Sequence, residues 1–173
     1  MLDLASRLPA ELVIAAPRGP LPLEDGGWTW FANRGIGRPI QESIEASVFA
    51  VQEWLRPIRS DFRAVWLLGF SAGAAMAGAL LLDDPTGFDA TVLLSGTLPW
   101  DAGFDTSPGR LAGRRVLFAS DPHDPVIPSD LMQRSEQWLT EESGADVEVH
   151  HYPGLGHTIS DEELSAVAGF LLR

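Results

Sequence analysis

The chain has 173 residues, enough for one domain with a proper core and few for two. Hydrophobic residues make up 45%, which excludes disorder, and 24 acidic against 12 basic residues leave a formal charge of −12, which argues against nucleic acid or an anionic membrane surface as partner. The absence of cysteine excludes disulfides, thiolate metal sites and a cysteine nucleophile.

The start, "MLDLASRLPAEL", carries neither a basic leader nor a long apolar run. No signal peptide is expected from it, and cytoplasmic residence follows by default. Along the chain a short, β-rich apolar run recurs, each time followed by a helical pattern. That alternation predicts an α/β fold, a mainly parallel sheet of about five strands with helices on both faces. The expected strands are Leu12 to Ala16, Val65 to Gly69, Thr91 to Ser95, Val116 to Ser120 and Val147 to Tyr152. Near-continuous Val, Leu and Ile in the middle runs suit strands buried on both faces. With no repeat or linker-like shift in composition, residues 1–173 are expected to form a single domain.

Between the first two runs lies "PRGPLPLEDGGWTWFANRGIGRP", whose Pro and Gly content reads as a long irregular loop of the kind that carries function. Ile40, Ile44, Val48, Val51, Leu55 and Ile58 then recur at three- and four-residue steps, one apolar helical stripe ending near Pro57. From Ala64 to Leu82 no residue is charged, long enough for a membrane helix. However, its first half is β-prone and its second is rich in Ala and Leu, with a small-residue turn between. Strand, turn, helix is the reading that fits. Further on, helices are expected from Ser129 and from Ser160, the latter with Glu163 three residues later as a capping box.

The turn is Gly69-Phe70-Ser71-Ala72-Gly73, which fits G-x-S-x-G. A serine between a buried strand and a helix is a candidate nucleophile, Gly69 and Gly73 giving it room, and the Ala72 N–H at the helix start can face a developing oxyanion. A serine hydroxyl needs a base held in one tautomer, and on such a sheet the order along the chain is serine, acid, histidine. His157, in "PGLGHTIS" after the last strand, is placed as that base; His150 and His151 point to opposite faces of a strand, so at most one could reach a common site. For the acid, "SDPHDPVIPS" offers Asp121 and Asp124, and spacing does not choose between them; Asp130 is explained by the helix dipole alone. His123 with His150 or His151 lacks the tight spacing of a metal site, and no metal is expected.

The pieces "APRGP", "WTWF", "GFSAG", "LLSGTLP", "HDPVIP" and "YPGLGHTIS", in this order, resemble the phospholipase/carboxylesterase family of α/β-hydrolases, which includes the acyl-protein thioesterases. The resemblance implies Ser71 as nucleophile, Asp124 as acid and His157 as base, and it implies that Trp30, Phe31 and Leu98 line an acyl site. It implies a serine esterase acting on small or medium acyl esters, thioesters or lysophospholipids, with no cofactor. Family members also carry an apolar strand and an "LHG"-type glycine turn ahead of "DLASRLPAELVIAAPRGP", the source of a second oxyanion N–H. Met1 falls after that point, so an N-terminally shortened sheet is expected. Two consequences follow: a non-catalytic binding or assembly module as the alternative function, and a homodimer formed through unpaired strand edges.

Overall fold

A computed structural model describes residues 2–24 and 26–173, with side chains from residue 4 onward. A one-turn helix, α1 (Leu2–Ala5), opens the chain. Leu12 to Ala16 does not form the expected strand: among the described residues the segment joins no ladder, and Val13 is 78% exposed. Apolar composition shows only that a segment suits a strand; without a neighbour to take its N–H and C=O groups no strand results. Among the described residues the main sheet accordingly has four strands, not five.

The long loop holds a small hairpin, β1 (Leu21–Pro22) antiparallel to β2 (Trp28–Thr29), with the Arg18 guanidinium 3.9 Å above the Trp28 ring. Helix α2 (Gln41–Leu55) follows the predicted stripe and buries Ile44 and Val48 in a cluster with Phe31, Ala75, Met76, Ala79 and Leu80. The uncharged stretch resolves as β3 (Trp66–Phe70), a turn at Ser71, and α3 (Ala72–Asp83). Among the described residues no helix is long and apolar enough to cross a membrane. Every residue of α3 from Ala74 to Leu82 is buried; Ala74 and Ala77 pack with the sheet residues Leu93, Val116 and Phe118, and Gly78 lies against Leu98 and Pro99.

Then come β4 (Ala90–Leu94), β5 (Arg115–Ser120), α4 (Ser129–Gln137) running into a π-turn at Trp138–Glu142, β6 (Asp146–His151) and α5 (Asp161–Leu171). The strands are all parallel, in the order β3-β4-β5-β6, with Phe70 opposite Leu94, Leu94 opposite Ala119, and Ala119 opposite His150. Alternation along the central strands sends Ala90, Val92, Leu94, Leu117 and Ala119 to one face, under Val167, Phe170 and Leu171 of α5. Leu93, Val116 and Phe118 face the other way, onto Ala74, Ala77 and Leu81 of α3 and the Trp138–Leu139 turn. Both sheet faces are thus covered, as a parallel sheet requires. The loops after β3, β5 and β6 all leave at the carboxyl edge, where open α/β sheets place their sites.

Candidate active site

Ser71 sits between β3 and α3 at φ 56°, ψ −120°, a conformation that costs a residue with a Cβ of order 1–3 kcal/mol and clusters at functional sites. The turn is held by tight backbone packing. A Cβ on Gly69 would lie 2.0 Å from the Gly73 carbonyl oxygen, and one on Gly96 would lie 2.5 Å from the Ala74 Cβ and 2.8 Å from the Ser71 carbonyl oxygen. Gly73 itself faces open space, so the second indispensable glycine is Gly96, just past β4, rather than the last glycine of the motif. Sequence reading missed it, although it lies in plain view in "LLSGTLP". Ser95 before it is also in the left-handed region, at φ 43°, and its N–H donates to the Ala119 carbonyl while the Ser71 N–H donates to that of Leu94. The turn that carries Ser71 is therefore hung on β4.

The three predicted side chains meet. The Ser71 Oγ lies 2.9 Å from His157 Nε2, and His157 Nδ1 lies 2.8 Å from Asp124 Oδ2. The Asp124 side chain is fully buried and that of His157 is 18% exposed. The other Asp124 oxygen accepts the N–H groups of Val126 and Ile127 at 2.8 and 3.0 Å. Burial alone would raise the Asp124 pKa, but the bonds from His157 and from those two N–H groups outweigh it and hold the carboxyl below its ordinary range. An ionised carboxylate has no proton to give, so Nδ1 carries the imidazole proton and Nε2 presents its lone pair to the Ser71 hydroxyl. The Phe70 ring packs against the imidazole, centroids 4.8 Å apart. Ala72 is the first residue of α3, so its N–H has no intrahelical acceptor and points out of the helix start.

Geometry also separates the two aspartates. Asp121 does not touch the imidazole: its Oδ1 accepts the His123 N–H at 2.9 Å and its Oδ2 accepts the Gly156 N–H at 2.7 Å. The Gly156 N–H and then the His123 N–H hold its carboxyl below the ordinary range, against burial. His150 and His151 lie apart from this centre, bonded to Glu148 and Glu136 at 2.9 and 2.8 Å. Among the described residues no group of three or more His, Asp or Glu is placed to hold a metal ion. Phe31 and Leu98 are buried in two different parts of the core, and Trp30 packs partly buried beside the first.

The sequence profile of the phospholipase/carboxylesterase family matches residues 9–173. The chain belongs to that family. Carboxylesterase SOBER1 of Arabidopsis thaliana is 27% identical over 170 residues, 92% of this chain and 74% of that protein. Acyl-protein thioesterase 1 of Mycosarcoma maydis is 33% identical over 109 residues, 60% of this chain, of which the match spans 45% of that protein's length. The crystal structure of a carboxylesterase from Mesorhizobium loti superposes with a TM-score of 0.84 at 26% identity, over 99% of this chain and 80% of the other. As a family member the chain is a hydrolase of the esterase type with an α/β-hydrolase-like fold.

Proposed function

We propose that the protein hydrolyses carboxylic esters of small or medium acyl groups through Ser71, His157 and Asp124. One observation carries the reading: the continuous pair of hydrogen bonds from the Ser71 Oγ through both imidazole nitrogens to a buried carboxylate. Ser71 Oγ attacks the acyl carbonyl carbon while His157 Nε2 takes its proton. The imidazolium, steadied by Asp124, returns that proton to the departing alkoxide, leaving an acyl-enzyme and an alcohol. Water, deprotonated by the same Nε2, then attacks the acyl-enzyme, releasing the acid and restoring Ser71. The Ala72 N–H faces the tetrahedral oxyanion, and loss of one such donor typically costs about 10²–10³ in turnover. Thioester cleavage is the finer reading, supported by the printed name of the Mycosarcoma maydis relative.

A fluorophosphonate probe with a p-nitrophenyl ester assay tests the proposal. Native protein should label on Ser71 and turn over the ester, while Ser71→Ala should do neither, with turnover lowered by roughly 10³-fold or more. Folded native protein that neither labels nor turns over ester or thioester would overturn it in favour of a non-catalytic binding module.

A further inference from the structure

Asp124 and Asp121 flank one turn, closed by the Asp124 N–H on the Asp121 carbonyl at 3.1 Å, and their carboxylates are used in parallel ways. Each gives one oxygen to its own loop: Asp124 to Val126 and Ile127, Asp121 to His123. Each sends the other across to the loop after β6, Asp124 to the imidazole of His157 and Asp121 to the N–H of Gly156, the residue just before it. We propose that Asp121 is a positioning residue for the base, fixing where His157 sits by anchoring the backbone one residue upstream. This rests on His157 being the base of the esterase.

The need for an anchor lies in the loop's own sequence. Gly154 and Gly156 both adopt positive φ, 83° and 72°, in "PGLGHTIS", which glycine does readily but at the largest entropic cost of fixing. The Leu155 N–H is taken by the Tyr152 carbonyl at 3.1 Å, holding the loop's start. Nothing in that bond fixes the second glycine, and there the Asp121 oxygen takes over at 2.7 Å. Asp121 is only 2% exposed, and a buried carboxylate persists where N–H donors replace its water. A turn-forming role for Asp121 needs only the bond to His123; the second oxygen's reach to Gly156 has no part in it. Asparagine at 121 can accept from one of the two N–H groups and would turn an amino group toward the other.

The test uses the full chain with Asp121→Gly and Asp121→Asn, alone and with His157→Ala, each checked for native melting; asparagine keeps the volume if glycine unfolds. Both single variants should lose about 10- to 100-fold in kcat on a p-nitrophenyl ester with KM within about twofold, since misplacing a catalytic group costs rate rather than ground-state binding. In the His157→Ala background the residual turnover should not fall further, because the effect runs through the imidazole. By NMR, the Gly156 amide should exchange with solvent roughly tenfold faster or more in the variants. Native-like kcat in both variants, an equal loss in both backgrounds, or unchanged Gly156 exchange would overturn the proposal. If His157→Ala keeps native turnover, the esterase reading falls instead, and the Gly156 exchange rate still decides whether Asp121 anchors the loop.

Discussion

Asp124 has no proton to give and receives one hydrogen bond from an imidazole, and this makes it the most sensitive residue of the site to a change of one atom. Asp124→Asn keeps the volume but places an amino group or a weaker acceptor before His157 Nδ1, favouring the tautomer whose Nε2 already carries a proton. Such a base cannot accept the Ser71 hydrogen. We expect kcat to fall roughly 10⁴-fold with KM little changed, read by steady-state ester hydrolysis. Asp121→Asn should cost far less, because it disturbs only the placement of the imidazole. Ser71 and His157 were legible in the sequence, since a serine in G-x-S-x-G after a β-rich run and a histidine after the last strand have few alternatives. The choice between Asp121 and Asp124 was not legible from spacing: both lie in one turn, and which oxygen reaches the ring depends on loop dihedrals that no periodicity encodes. The family resemblance pointed to Asp124, and the geometry puts that carboxylate on the imidazole.

At the level of elements, the two glycines of the motif have opposite physics. Gly69 is in β3, and a methyl there meets the Gly73 backbone oxygen at 2.0 Å, a contact with no flexible side chain to yield. Gly73 lies in the first turn of α3 facing open space, where alanine is the better helix former. Gly69→Ala should therefore destabilise by about 1–3 kcal/mol or more and impair Ser71 labelling, whereas Gly73→Ala should leave stability equal or raise it by about 0.5–1 kcal/mol. Thermal or urea unfolding of the two variants gives the comparison. A motif read as a string treats both glycines alike; only the crossing of strand and helix distinguishes them. The same gap explains Leu12 to Ala16, whose apolar content was visible while its lack of a ladder partner was not. The central strands were legible because burial on both faces makes a continuous apolar run, and the stripe of α2 because burial on one face writes a helical period. The π-turn after α4 has no such signature.

Across the whole molecule, the two-sided core followed from the alternation of strands and helices, but one buried charge did not. Ser160 and Glu163 are expected to form a capping box, and the Ser160 side chain accepts the Glu163 N–H at 3.0 Å. The Glu163 side chain, in the first turn of α5, is fully buried, and neither of its oxygens has a hydrogen-bond partner of good geometry. Burial raises its pKa above the ordinary glutamate range, with the nearby Ser160 N–H and His150 opposing only in part. The folded chain thus holds this proton more tightly than the unfolded one. Its contribution to stability is complete below the ordinary glutamate range and is lost as pH rises toward and through the raised value. Asp121 and Asp124, both lowered, act in the opposite sense, their contributions present above the ordinary aspartate range and lost as pH falls through their folded values. Stability should therefore decline on both sides of a mildly acidic optimum, and Glu163→Gln, which cannot ionise, should remove only the decline on the alkaline side. Melting curves of native and variant protein from mildly acidic to mildly alkaline pH should diverge as pH rises, with the variant ahead by a few degrees, about 2–4 °C for each kcal/mol at this chain length. The formal charge of −12 changes only by the residue replaced, so self-repulsion is nearly common to both curves and their difference isolates the buried group. Parallel curves would mean that Glu163 ionises as easily folded as unfolded, and would overturn the prediction drawn from its burial.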